Sequence, residues 1–182
     1  MMSNHVGLIA LIGLLACAPL AHGQSQSWDK VLPAAKRFVV LDAFGGDAVL
    51  DKETGLVWER TPGDLNQDGA LGVGDGRSWF VAHRACRERI VGNRRGWRLP
   101  TFEELASVTE PGDSFLNTLP AGHPFIGDFS FGPVFWSANT NTEAPTVAFV
   151  LPIGPGDFFV GLPKNADSFV WCVRGGQGLD PQ

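Results

Sequence analysis

The chain has 182 residues, 44% of them hydrophobic and 18% charged, which is enough apolar material for one core and excludes a wholly disordered chain. A formal charge of −5 with no basic patch argues against a nucleic-acid partner. The 23 glycines and 13 prolines favour turns and short elements over long helices.

The chain opens on an apolar run, Val6 to Leu15, and no Lys, Arg, Asp or Glu occurs before Asp29. A spanning helix needs about 20 apolar residues, whereas a run this short suits the core of a signal peptide. Two processing routes fit, with an uncleaved anchor as the remaining alternative. Ala21-His22-Gly23 places small residues for cleavage before Gln24, giving a signal peptide over 1–23. Leu14-Leu15-Ala16-Cys17 instead reads as a lipoprotein signal, with a lipid on Cys17 as the membrane attachment. Both predict export to an extracytoplasmic site: secreted, periplasmic or on the cell surface.

Residues 24–36 read as a tether, 37–176 as a single folded domain and 177–182 as a tail. Either processing route leaves Cys86 and Cys172 as the cysteines of the folded part. In an oxidising compartment such a pair reads as a disulfide, the alternative being two buried thiols. Neither cysteine belongs to a CxxC pair, so redox catalysis and zinc find no support.

In chain order, Arg37–Val40 is the first predicted strand. Val49 to Trp58 reads as strand, turn, strand around Asp51-Lys52-Glu53-Thr54-Gly55. A Gly/Asp-rich stretch, 62–76, follows. From Ser78 the apolar spacing of Trp79, Ala82, Cys86 and Ile90 predicts a helix whose other face carries Arg84, Arg87 and Glu88 and that Gly92-Asn93 ends. Gly96-Trp97-Arg98-Leu99-Pro100 leads into a second helix, where Thr101 and Glu104 form a capping box and Glu103 and Glu104 sit in the first turn. After a loop-rich region come strands at Val134–Ala138, Thr146–Leu151, Phe158–Leu162 and Phe169–Arg174. Strands, helices, then strands make an α+β layout.

The stretch Asp64 to Asp75 carries the clearest chemical pattern. Asp64, Asn66 and Asp68 place side-chain oxygens at the first, third and fifth positions of a twelve-residue loop, and Gly69 takes the sixth. Ala70 would add a backbone carbonyl, Leu71 is apolar at the eighth position and Asp75 closes the loop. Calcium needs six to eight hard oxygens around one point, which this spacing on a tight turn supplies. Asp stands at the last position where an EF-hand has Glu, a variant that resembles dockerin loops, and Thr61-Pro62-Gly63 precedes the loop without a helix. The expected role for calcium is structural. The plain alternative is an acidic surface turn.

Other candidates point away from catalysis. His83 reads as an exposed helix residue and His123 as a turn residue. Ser114, Ser130 and Ser137 lack a GxSxG context, and no Walker loop, dinucleotide fingerprint or HExxH occurs. Capping accounts for Glu103 and Glu104. Arg94, Arg95 and Arg98 read as a solvated cluster with Arg98 tied to a carboxylate.

Several segments together resemble one family. They are Leu50 to Arg60, the helix with Trp79, Ala82 and Cys86, Gly96 to Thr101 with Glu104-Leu105, Phe135 to Ala138, and Lys164-Asn165 with Val170 to Arg174. Jointly they are similar to the domain family typified by the C-terminal domain of the Legionella collagen-like adhesin, over roughly Val49 to Gly175. The resemblance implies a fold like the C-type lectins and the formylglycine-generating sulfatase modifiers, two helices packed on short antiparallel sheets, and again a Cys86–Cys172 disulfide. It also implies adhesion, since the named adhesin attaches to sulfated polysaccharides and host surfaces. The calcium-like stretch 62–76 looks like an insertion relative to that family. Neither the Glu-Pro-Asn nor the Trp-Asn-Asp sugar-calcium motif of lectins occurs.

The expected function is a non-catalytic binding or adhesion module for a glycan or a surface protein. A cell-surface assembly component using a calcium-dependent protein contact is the second reading, and an enzyme related to the sulfatase modifiers is the third. Exposed aromatics around Trp136 or Phe158-Phe159 would favour glycan stacking, and a flat apolar patch would favour a protein partner.

Overall fold

A computed structural model describes residues 32–65, 71–72, 74–111, 117–155 and 160–176. The predicted leader 1–23 with Cys17, most of the tether, Asn66, Asp68 and Ala70, Ser114, Phe158-Phe159 and the tail 177–182 lie outside the described residues.

Among the described residues the architecture is α+β, with three α-helices, short antiparallel sheets and one disulfide. The first sheet is built from β1 (Phe38–Val40), β2 (Ala48–Asp51), β3 (Val57–Glu59) and β9 (Val173–Arg174), in the order β1-β2-β3-β9. The second contains β6 (Val134–Thr140), β7 (Val147–Pro152) and β8 (Gly161–Pro163) in sequential order. A small pair, β4 (Glu110–Pro111) with β5 (Asn117–Thr118), stands beside them. A parallel bridge from Phe135 to Phe169 and an antiparallel one from Arg98 to Val173 bring the closing segment alongside β6 and the approach to the third helix.

The first element differs from the sequence expectation. Ala34–Arg37 is a short helix, α1, and the strand begins at Phe38. Arg37 is buried, and its guanidinium donates to Asp51 Oδ1 at 2.9 Å and Oδ2 at 2.7 Å. Asp51 also accepts from the Glu53 amide at 3.0 Å and the Thr54 hydroxyl at 3.0 Å, so the turn between β2 and β3 closes on its own first residue.

Helix α2 (Trp79–Glu88) starts where the apolar spacing places it but stops short of Gly92. Arg89 leaves the helix in an extended conformation, and its guanidinium bonds the Glu59 carboxylate. Ile90 therefore falls off the predicted apolar face and is 51% exposed. Gly92 has its own constraint. It sits at φ 54°, and a Cβ there would lie 2.3 Å from the Phe44 backbone.

Helix α3 (Phe102–Ser107) is capped as expected. The Thr101 hydroxyl accepts the Glu104 amide at 3.2 Å, while the Glu104 carboxylate accepts the Thr101 amide at 2.8 Å. The same carboxylate takes both ends of the Arg98 guanidinium at 2.7 Å. Thr101→Ala removes one cap acceptor and is expected to cost about 1 kcal/mol in a urea melt; no loss would mean that Arg98 alone orders this helix start.

Two apolar clusters share the central strands. Val170 and Cys172 enter the cluster around the disulfide, with Ala82, Cys86, Trp97 and Trp136, while Trp171 and Val173 enter the other, with Trp58, Phe125, Phe135 and Leu151. The alternation of a strand thus feeds both sides at once. β6 does the same through Phe135 and Trp136, and β7 through Leu151 and Val150. Burial on both faces explains why these strands read as continuous apolar runs. The Cys86–Cys172 disulfide pins α2 to the closing segment within the second cluster.

Candidate functional site

Trp136 is not a surface aromatic. It is fully buried, and its indole N–H donates to the Arg77 carbonyl at 2.7 Å. Trp58, Trp97 and Trp171 are likewise inside. The exposed large apolar side chains among the described residues are Phe80, Ile90, Ile126, Phe131 and Val160.

Phe80 is the most exposed of these, at 65%, and it stands within a built cluster. Beside it on α2, Trp79 is half-buried, with ring centroids 5.3 Å apart in an edge-to-face arrangement. The Trp79 indole N–H is anchored on the Ser137 carbonyl of β6 at 2.8 Å. Lys164, in the turn after β8, holds its ammonium 4.2 Å from the Trp79 ring centroid and 5.9 Å from that of Phe80. The same ammonium donates to the Thr140 hydroxyl at 2.8 Å, and the Lys164 carbonyl accepts the first amide of α2 at 3.0 Å. Three elements thereby fix one amine over one indole.

The outer face of α2 continues the pattern. Phe80, Arg84 and Arg87 recur at helical spacing and are all exposed. Among the described residues neither guanidinium forms an ion pair. His83, on the inner side of this stripe, packs edge-to-face on Trp79 with ring centroids 4.2 Å apart. It is half-buried rather than exposed as the sequence suggested, and its Nε2 is buried without a hydrogen-bond partner. Burial pulls its imidazole below the ordinary range, and Arg87 and Lys164 push in the same direction. The face is thus aromatic at one end and carries Arg84 and Arg87 along its length, with the exposed Glu88 at its far end. Such a surface stacks on an apolar ring face and attracts acidic groups.

The calcium-like stretch borders a different part of the molecule. Asp75 is buried, and its two carboxylate oxygens accept the Leu65 amide at 3.1 Å and the Gly72 amide at 3.0 Å, tying the two ends of the insertion together. Leu71 is buried in the first apolar cluster and covers Gly63, where a Cβ would come within 2.4 Å of its side chain. The apolar eighth position of the loop is therefore a core anchor. Asp64 lies with Asp47, Glu59, Thr61 and Arg89 around a polar cavity of about 170 Å³. With Asn66, Asp68 and Ala70 outside the described residues, no group of three acids, histidines or cysteines arranged for a metal is found among the described ones.

Glu59 sits under that cavity and was not singled out by its sequence context. It is fully buried; one oxygen pairs with Arg89 and the other accepts the Cys172 amide at 2.9 Å. Its backbone carbonyl takes the Trp171 indole N–H at 3.0 Å. Burial pushes its carboxyl above the ordinary range, while Arg89 and the Cys172 amide pull the other way. Its contacts are those of a clasp holding α2 and the closing segment on β3. The signal in the sequence was only an acid following an apolar Val-Trp pair.

The remaining candidates keep to local roles. His123 packs on Phe125 and Phe129, each 5.8 Å away between ring centroids, and burial lowers its imidazole. Ser137 is buried and donates to the Phe149 carbonyl at 2.9 Å, and Ser130 lies in an exposed turn closed by Asp128. Glu103 is exposed on α3 beside an apolar recess with Phe102, Asn139, Phe149 and Val160. A second apolar recess, about 350 Å³, is lined by Phe131, Val134, Leu162 and Phe169.

The family model of the Lcl C-terminal domain matches residues 47–174, which take in both sheets from β2 onward, the disulfide and the α2 face. No curated protein matches the chain, and no solved structure matches it.

Proposed function

The chain belongs to the Lcl C-terminal domain family, and we propose that it is an exported, non-catalytic adhesion module whose α2 face binds an acidic glycan. The observation that carries this reading is the cluster at Phe80. An exposed ring supplies a stacking surface, and Lys164, Arg84 and Arg87 supply charge beside it. Sugar rings present C–H faces to aromatics, and their acidic substituents pair with guanidinium and ammonium groups. The family's adhesin association and the disulfide favour an extracytoplasmic setting, with residues 1–23 as a signal peptide or Cys17 as a lipidated end. A C-type-lectin-like arrangement is part of the same proposal.

Calcium belongs to this reading as a structural ion in the 62–76 insertion. Asp64, Asn66, Asp68, the Ala70 carbonyl and Asp75 would hold it, and it would stiffen a loop that Leu71 already anchors in the core. Asp75 would then serve two ends, the ion and the amides of Leu65 and Gly72.

Phe80→Ala tests the site. Phe80 is mostly exposed, so the variant should melt with the wild type while binding of an acidic glycan falls about tenfold or more. Unchanged binding would move the site elsewhere. The recess around Phe131 and Phe169 supports a second reading, a protein partner, and would be the next surface to alter.

A further inference from the structure

On the reading that the α2 face binds an acidic glycan, we infer that binding there is coupled to proton uptake by His83, the imidazole packed on Trp79 with Arg87 and Lys164 as its charged neighbours. His83 packs among its cationic neighbours: its ring lies 4.2 Å from a tryptophan that is itself anchored on β6. From its own helix it is faced by Trp79 and by Arg87 one turn on; from the turn after β8 it is faced by Lys164. Among the described residues no carboxylate acts on it. A proton on this imidazole therefore adds a third positive charge to a place that already holds two, in a half-buried setting with Nε2 unpartnered.

An acidic ligand changes that balance. Sulfate or carboxylate groups laid along Phe80, Arg84 and Arg87 offset the charge of Arg87 and Lys164, and the imidazolium becomes easier to form. The His83 pKa then rises on binding. By linkage the same coupling makes the ligand bind more tightly as the pH falls through the range between the free and the bound values. The face would hold its ligand best in mildly acidic surroundings. Lys164 contributes twice, as a ligand contact and, after burial and Arg87, as a charge that disfavours the His83 imidazolium in the free protein.

The experiment uses the wild-type protein and a heparin oligosaccharide as probe. The His83 imidazole is titrated by NMR without and with the probe, and the probe's Kd is measured from about pH 7.5 to about pH 5. The free imidazole should titrate below the usual value near 6.5, rise by about one unit with the probe bound, and rise in the free Lys164→Gln variant. Wild-type binding should tighten about tenfold over the range, and His83→Gln should lose most of that slope while keeping its affinity near neutral pH. An unshifted His83 in the bound protein, or the same slope in His83→Gln, overturns the coupling and leaves the binding reading standing. No binding at any pH overturns that reading and the coupling with it. The wild-type NMR titration decides the matter even where His83→Gln folds poorly.

Discussion

Replacing Cys86 and Cys172 together by Ala lowers the stability of the protein by about 4–5 kcal/mol, the loop-closure contribution expected when a cross-link spans 86 residues. For a domain of this size that is a drop in Tm of roughly 10–20 °C. The bond joins the last turn of α2 to the closing segment at the centre of the second apolar cluster, where Ala82, Trp97 and Trp136 surround it. Smaller side chains add a cavity to the lost constraint, so the effect is not purely one of the unfolded chain. The check is an equilibrium urea melt of oxidised wild type against the double variant. A loss under about 1 kcal/mol would mean that the two cores hold α2 without the bond.

The second large effect is at the clasp beneath the polar cavity. Arg89→Ala is expected to cost about 3–5 kcal/mol near neutral pH, because it strands the Glu59 carboxylate in a fully buried site with the Cys172 amide as its remaining partner there. The loss should shrink in acid. A carboxyl whose folded pKa is raised holds its proton in the folded state over a range where the unfolded chain has released it. Stability therefore falls as pH rises from the ordinary carboxyl value through the folded one, and it is recovered on acidification. Removing Arg89 takes away a lowering influence and widens that window. Melts of Arg89→Ala at several pH values check the sign; a loss that grows in acid would show that Glu59 keeps its charge without its partner. Glu59→Gln in the Arg89→Ala background should restore much of the stability at neutral pH.

How far the sequence spoke for the structure depended on whether a residue's role was local. The Thr101–Glu104 capping box, the start of α2 at Ser78 and the strand-turn-strand around Asp51 all rest on contacts within a few residues, and all are present. The disulfide was legible for a different reason: the candidate cysteines were two. The end of α2 was not legible, because Arg89 is drawn away by Glu59, 30 residues earlier in the chain. The short helix before Phe38 was missed similarly, since Arg37 is committed to Asp51. Whether the aromatics around Trp136 are exposed could not be read from β6, whose apolar residues stand on consecutive positions; Phe135 and Trp136 face two different cores.

The candidate site divides along the same line. Arg84 and Arg87 could be placed on the polar face of α2 from spacing alone, and the Lys164-Asn165 pair was part of the family resemblance. Their meeting at Trp79 and Phe80 was invisible, because it joins α2 to a turn some 80 residues later and depends on the Trp79 indole reaching Ser137. Glu59 was passed over for the same reason. A charged residue after an apolar pair is normally a surface residue, and only the return of Arg89 and Cys172 makes burial tolerable there.

A binding role for this chain toward an acidic glycan is tested most simply by a glycan and polyanion array with the purified protein, once in calcium and once in chelator. Binding to sulfated or carboxylated glycans over neutral ones is expected, lost in the Phe80→Ala protein and weaker in chelator. Binding that ignored both acidic groups and Phe80, or no glycan binding in either condition with the fold intact, would contradict it.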